Sequence, residues 1–254
     1  MLIILSPAKK LNFSFKNSHS DFSENRFLDS AKEVVEELKK LSVSELMTVM
    51  HISSNLAQLN YQRYRDWHLP FTPKNAHQAL FTFNGDAYGG LDADSFSDQD
   101  IKEAQNHLRI LSALYGAIRP LDLIQAYRIE MGMKFSWGKN KSLYQFWQEK
   151  ITQSIADDLK AQEDNILINL ASKEYFKILN SNKLNVNIIT PVFKEYKGDV
   201  LKIISSKAKR ARGLMSRFII QNQIRNPEDL KLFSSEGYFF MDKLSSENEF
   251  VFVK

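Results

Sequence analysis

No cysteine occurs among the 254 residues, and that absence limits what the chain can fold into. Disulfides, thiolate zinc sites and Cys-ligated iron–sulfur clusters are all excluded as staples. The fold must therefore be held by apolar burial. The composition allows it, with 43% hydrophobic and 25% charged residues, the balance of an ordinary globular protein. A chain of this length can bury a large core without cross-links. The same absence removes thiol nucleophiles and sulfenic-acid sensing from the available chemistry, and it fits a reducing, cytoplasmic compartment. The apolar start, Met1 to Leu5, is short, and Lys9 and Lys10 follow it. A secretory signal needs the reverse order and a longer apolar run. No apolar stretch approaches the roughly 20 residues that span a bilayer, so no membrane partner is expected.

Hydrophobic spacing predicts strands mixed with helices. Leu2 to Leu5 and Ile166 to Leu170 read as buried strands, and Ala79 to Phe83 and Tyr127 to Phe135 as further ones. Asn187 to Tyr196 and Val200 to Ser205 read as a pair joined at Lys197-Gly198-Asp199. Tyr238 to Met241 and Glu249 to Val253 read as a closing hairpin. Helices are predicted over Arg26 to Leu41, Val43 to Met50 and Asn55 to Asp66. Ser97 with Asp100, and Ser142 with Gln145, have capping-box spacing for helices reaching Tyr115 and Lys160. Ser172 caps a short helix, and Asn226-Pro227 begins another. Strict βαβ regularity is missing, so the expected class is α+β (mixed α/β), a mixed sheet flanked by helices. No repeat and no linker divides residues 1–254, so one compact domain is expected. Asn12 to Asn25 and Leu244 to Asn248 are expected to be the least ordered stretches.

The net charge is a mild +4, but its distribution is uneven. Val200 to Pro227 holds no Asp or Glu and carries Lys202, Lys207, Lys209, Arg210, Arg212, Arg217 and Arg225. Removing these seven from the 34 Lys and Arg leaves 27 against 30 acids, so the rest of the chain is net negative. Concentrated positive charge is the footprint of an anionic partner. Lys207 to Ile224 reads as a helix with Ala208, Ala211, Met215, Phe218 and Ile219 on one stripe. Lys207, Arg210, Arg217 and Arg225 lie beside that stripe. The alternative is a solvated helix face paired with acids elsewhere.

Common catalytic signatures are absent, with no G-x-G-x-x-G, no P-loop and no G-x-S-x-G. His19, His51, His68, His77 and His107 show no H-x-x-x-H spacing, so neither a metal nor a cofactor is expected. Several polar residues do follow strand ends, where sites form in sheets of this kind. They are Lys9, Asp86 and Tyr88 in the loop Asn84 to Gly90, Asn169, Ser172 and Lys207. Convergence of these residues with Arg128 on one cleft would suit an anionic ligand; the plainer reading makes them turn and cap residues. His107 to Asp122 reads as helix, Gly turn and second short helix. Such a helix-hairpin-helix-like element can offer backbone N–H groups to a DNA phosphate, with Arg109, Arg119 and Arg128 nearby. The alternative is a helical corner packed through Leu108, Leu111, Leu114 and Ile118.

Ordered blocks along the chain carry a resemblance. They begin at Leu5-Ser6-Pro7-Ala8-Lys9 and continue through Gly85-Asp86 with Tyr88, then Leu111-Ser112 through Gly116 to Arg119-Pro120-Leu121-Asp122-Leu123. Tyr127-Arg128, Glu130-Met131-Gly132 and Leu143-Tyr144-Gln145-Phe146-Trp147 follow. Asn169-Leu170-Ala171-Ser172, Glu174-Tyr175-Phe176 and Pro191-Val192-Phe193 come next. The longest is Ala211-Arg212-Gly213-Leu214-Met215-Ser216-Arg217-Phe218-Ile219-Ile220, and Ser235-Glu236-Gly237-Tyr238-Phe239-Phe240 closes the set. In these blocks the sequence resembles the YaaA family of peroxide stress response proteins over essentially its whole length. The resemblance implies a DNA-binding protein of the hydrogen peroxide response that helps limit unincorporated iron and oxidative damage to DNA and protein. It also implies a single-domain fold with a helix-hairpin-helix-like element and a basic cleft. Two positions depart from the family pattern. Lys10 stands where the family has Thr, and Ala113 where a member has Gly.

On these readings Lys9, Lys10, Arg109, Arg119, Arg128, Lys207, Lys209, Arg210, Arg212 and Arg217 are the expected DNA contacts. They would meet mainly phosphates, with little sequence readout. Asp86, Tyr88, Asn169 and Ser172 form the expected ligand cleft. The competing reading is an enzyme acting on a phosphorylated or nucleotide-like small molecule. Direct iron sequestration would need a carboxylate and His cluster that the spacing does not supply.

Overall fold

The apolar run Leu2–Leu5 (β1) forms the centre of an eight-stranded sheet. In the computed structural model, which describes residues 1–14 and 20–254, all four of its residues are buried. It runs parallel to β2 (Leu108–Ser112) on one side and to β4 (Ile166–Leu170) on the other. β3 (Gly116–Ile118) closes that first side antiparallel to β2. Beyond β4 lie β5 (Asn187–Lys197) and, skipping to the chain end, β8 (Glu249–Val253), each parallel to its inner neighbour. β7 (Phe239–Phe240) is antiparallel at the far edge, and β6 (Val200–Lys202) folds back on β5. Parallel strands covered on both faces need continuous rather than alternating apolar sequence, which is what Leu2–Leu5 and Ile166–Leu170 supply.

The principal helices are α1 (Leu28–Leu38), α2 (Val43–Met50), α3 (Ser54–Asp66), α4 (Asp86–Leu91), α5 (Asp98–His107), α6 (Leu143–Ala161) and α7 (Ser205–Gln221). Full capping boxes start α2 at Ser42 with Glu45 and α5 at Ser97 with Asp100. Ser142 Oγ accepts from the Gln145 N–H at 3.2 Å to start α6. α7 buries Ala208, Ala211, Met215 and Ile219 of the expected stripe, with Phe218 half-buried, and also Gly213 and Ser216. The mixed α+β class therefore holds. No helix among the described residues is long and apolar enough to cross a membrane.

Four local expectations fail. Ala79–Thr82 is a short helix rather than a strand, and the Gly-containing loop after it contains α4. Tyr127 to Phe135 is irregular, turns at Met131-Gly132, and belongs to no sheet. Most importantly, His107 to Asp122 is not a helix-hairpin-helix. Its core is the β2–β3 hairpin, and α5 ends at His107. The helical spacing of Leu108, Leu111, Leu114 and Ile118 loses to pairing beside β1, which buries every residue of β2. Gly116, at φ +70, makes the turn, and a Cβ there would lie 2.8 Å from the Phe27 ring and 2.9 Å from Trp147. Ser112 Oγ holds the turn by accepting from the N–H groups of Leu114 and Tyr115. An αα-hairpin does occur elsewhere. α2 and α3 are joined by His51-Ile52-Ser53, with His51 left-handed at φ 51.

The stretches expected to be least ordered are tied down where they are described. Ser23 N–H donates to Leu121 O at 2.8 Å, and buried Asn25 donates to Tyr115 O at 3.2 Å. Ser245 Oγ accepts from the Val251 N–H at 2.9 Å. Residues 15–19 of the first stretch, His19 among them, lie outside the described residues.

Candidate functional site

A cleft of about 520 Å³ opens outside the carboxyl ends of β1 and β4. Ser6 to Lys10, leaving β1, form one part of its wall, and Ser172 and Glu174, leaving β4, another. The two loops are joined where the Ser172 N–H donates to Ser6 Oγ at 2.8 Å. Ser172 also caps the short helix Lys173–Phe176 through its side chain. Lys10–Leu11 pairs antiparallel with Phe83–Asn84, which stitches the first loop to the start of α4. Asp86 and Tyr88 enter the cleft from α4, Lys209 and Arg212 from α7, and Tyr127, Arg128 and Glu130 from the irregular segment that begins at Tyr127.

Two glycines bring α4 and α7 into backbone contact. A Cβ on Gly213 would lie 1.7 Å from Ala87 O, and one on Gly90 would lie 2.2 Å from Arg210 O. This crossing sets the distance between the acidic and basic walls. Tyr88 O–H donates to Ser6 O at 3.0 Å, and Tyr127 O–H shares a 2.8 Å hydrogen bond with Ser112 Oγ. Burial pushes the hydroxyls of Tyr88, Tyr127 and Tyr175 well up, so all three stay protonated at neutral pH.

The charges differ in how they are compensated. Lys9 Nζ meets Glu130 Oε2 at 2.7 Å. Arg128 Nη2 lies 3.9 Å from Glu130 Oε1, while its buried Nε has no hydrogen-bond partner among the described residues. Glu174 Oε1 accepts from the Gly132 N–H at 3.0 Å. Burial pulls the Arg212 guanidinium below its ordinary pKa, and among the described residues no acid pairs with it. A second hollow of about 360 Å³ shares Lys9, Arg128, Glu130 and Glu174 with the first and extends to Met50 and His51 at the α2–α3 turn.

Of the residues singled out in the sequence, the structure brings together Lys9, Lys10, Asp86, Tyr88, Arg128, Ser172, Lys209 and Arg212. The others stand apart. Arg109 is buried, with Nε 2.6 Å from Asp158 Oδ2. Arg119 holds the buried Asp122 at 2.9 Å. Arg210 is 2.7 Å from Glu236, and the hydrogen bond between them raises the arginine and lowers the acid. Arg217 reaches Asp92 at 3.3 Å and Arg225 pairs with Glu103. Much of the acid-free segment's charge is therefore matched by acids elsewhere in the chain. Lys207 is exposed outside the cleft. Asn169 is a turn-shaping residue, its Oδ1 accepting from the Ala171 N–H at 3.1 Å. Sequence reading overlooked Glu130, Glu174, Tyr127 and Tyr175 as cleft residues. Only the folded path of residues 127–135 carries the first and third of them to the β1 loop. Among the described residues no group of three or more His, Cys, Asp or Glu is arranged to hold a metal ion.

The fold and the cleft define a mixed α+β protein with a polar, cation-rimmed opening at the carboxyl ends of its central strands. A family model described as peroxide stress protein YaaA matches residues 1–244. The chain belongs to that family, and membership assigns it a role in the response to peroxide stress.

Proposed function

We propose that the protein acts in the peroxide response by binding DNA, holding backbone phosphates along the cation-rimmed cleft. In that response it would help limit unincorporated iron and oxidative damage to DNA and protein. The observation that carries the reading is Arg212, a desolvated guanidinium facing the cleft that no acid among the described residues pairs with. A phosphate would supply the missing partner, and arginine is the side chain best shaped to receive it. Lys209, Lys10 and Arg128 on the same rim support it. The α2–α3 turn, at the end of the adjoining hollow, gives a strand a second place to rest. Contacts of this kind read shape and charge rather than base sequence.

Phosphate contacts make binding salt-dependent, with a log–log slope of about −0.9 per phosphate on duplex DNA. The double substitution K209A/R212A is therefore expected to flatten the slope by about 1.8. Fluorescence anisotropy on one duplex across a salt series reads this directly. A slope unchanged by the substitutions would remove the cleft from the DNA surface, and binding indifferent to salt would remove phosphate contacts altogether.

A further inference from the structure

The cleft stands at a particular point of the sheet topology. From β1 the strand order runs to β2 on one side and to β4 on the other. The crevice outside the carboxyl ends of parallel strands, at the place where strand order reverses, is where open sheets of this kind seat small ligands. The loops leaving β1 and β4 meet there through the Ser172–Ser6 hydrogen bond. The volume of about 520 Å³ falls within the roughly 300–1,000 Å³ of small-molecule sites. Space of that size takes one nucleotide unit, and a duplex would have to lie across its mouth.

The wall chemistry narrows the ligand. Arg212 and Lys209 on α7 form a cationic wall whose guanidinium is desolvated and, among the described residues, without a counter-charge. Arg128 adds a buried Nε–H with no acceptor among the described residues. These donors fit a phosphate, which accepts several charge-assisted hydrogen bonds at once. Glu130 and Glu174 would repel a bare anion, yet they accept hydrogen bonds from hydroxyl and amino groups. A ligand that satisfies both sets carries a phosphate at one end and a donor-rich body at the other. Pro7, Ala8 and Ile129 add apolar wall between them.

We propose that the cleft binds a nucleoside 5′-monophosphate unit, with its phosphate on Arg212 and Lys209 and its sugar and base toward Glu130 and Glu174. The proposal rests on the phosphate-binding reading of the same cleft and names what enters it. Its source is a free mononucleotide or the phosphorylated 5′ end of a DNA strand; the recognised chemistry is the same in both.

Calorimetric titration of the full chain tests it. The probes are the common nucleoside 5′-monophosphates, adenosine, ribose 5-phosphate, inorganic phosphate, and one oligonucleotide with and without a 5′-phosphate. At least one monophosphate is expected to bind ten-fold or more tightly than adenosine, ribose 5-phosphate and inorganic phosphate. R212A is expected to weaken that binding at least ten-fold, while K202A, an exposed lysine on β6, leaves it unchanged. A circular dichroism melt of each variant separates lost binding from lost folding, and R212K, which keeps the charge but not the fork, should recover part of the affinity. A preference for the free monophosphate over the 5′-phosphorylated strand assigns the source as a metabolite, and the reverse assigns a strand end. No binding by any monophosphate or 5′-phosphorylated strand overturns the proposal, as does binding that ignores R212A in a folded variant or ribose 5-phosphate binding equally well. Duplex affinity that persists after such a failure leaves the DNA reading standing. Mononucleotide binding without duplex affinity would overturn only the DNA reading.

Discussion

G213A is expected to destabilise the protein by about 3 kcal/mol, at the upper end of the usual cost of overpacking. The added Cβ would sit 1.7 Å from Ala87 O, 2.7 Å from Ala87 C and 2.8 Å from Leu91 N. All three are backbone atoms, so no side chain can rotate away, and α4 and α7 must separate. Because α4 carries Asp86 and Tyr88 while α7 carries Lys209 and Arg212, separation also widens the cleft. The expected result is a lower urea midpoint together with weaker DNA binding, measured on one preparation. G89A is the internal control. Its Cβ would approach nothing closer than Arg210 Nη1 at 3.5 Å, and alanine is the better helix former by up to about 1 kcal/mol. G89A should therefore be neutral or stabilising, although it lies one residue from Gly90. Equal losses in the two variants would show that the helix crossing is not limiting.

R109M is expected to cost about 3–5 kcal/mol, the usual penalty for stranding a buried charge. Arg109 and Asp158 are both buried, and Arg26 Nη1 reaches the second carboxylate oxygen at 2.8 Å. Burial by itself would raise the Asp158 carboxyl. Hydrogen bonds and charge from Arg109, and then from Arg26, outweigh it and hold the group below its ordinary value of 3.8. A carboxyl lower in the folded state adds stability that is present above its unfolded pKa and disappears as pH falls through its folded one. Without Arg109 the balance shifts toward desolvation and the carboxyl rises, so Asp158 contributes less to the loss of stability in acid, and the deficit of R109M against the parent should narrow as pH falls through the Asp158 carboxyl. Urea melts between roughly pH 3 and 7 give both quantities. The double variant R109M/D158L should recover much of the loss, since an apolar pair of similar volume often replaces a buried ion pair at little cost. A double variant as unstable as R109M would mean that packing, not stranded charge, sets the penalty.

These two sites also show what the sequence made legible. The Leu2–Leu5 and Ile166–Leu170 strands were readable because burial on both faces demands unbroken apolar runs. The Ser97 and Ser142 starts were readable because caps are local. Arg109 was misread because its neighbours Leu108 and Leu111 also fit a helix, and its partner Asp158 lies on α6, far along the chain. Lys9, Asp86, Tyr88, Arg128 and Ser172 could be nominated from their positions after strands or near turns. Glu130 and Glu174 follow Arg128 and Ser172 by two residues, but as acids they were passed over by a reading that looked for partners of an anion. The charge of the Val200–Pro227 segment was visible, yet its partition was not. Arg210, Arg217 and Arg225 find acids at Glu236, Asp92 and Glu103, and only three-dimensional structure separates them from Arg212.

The central place of β1 has a consequence for how the protein is made. The strand at the middle of the sheet is synthesised well before its two neighbours, which begin at Leu108 and Ile166. Until both have been synthesised, the apolar run Leu2–Leu5 has at least one open backbone edge. Pairings this distant impose a large loop-closure cost and slow folding, and exposed strand edges favour aggregation meanwhile. Synthesis must therefore pass Leu170 before the middle of the sheet can close, so a ribosome stalled short of that point holds a chain with an edge of β1 unpaired.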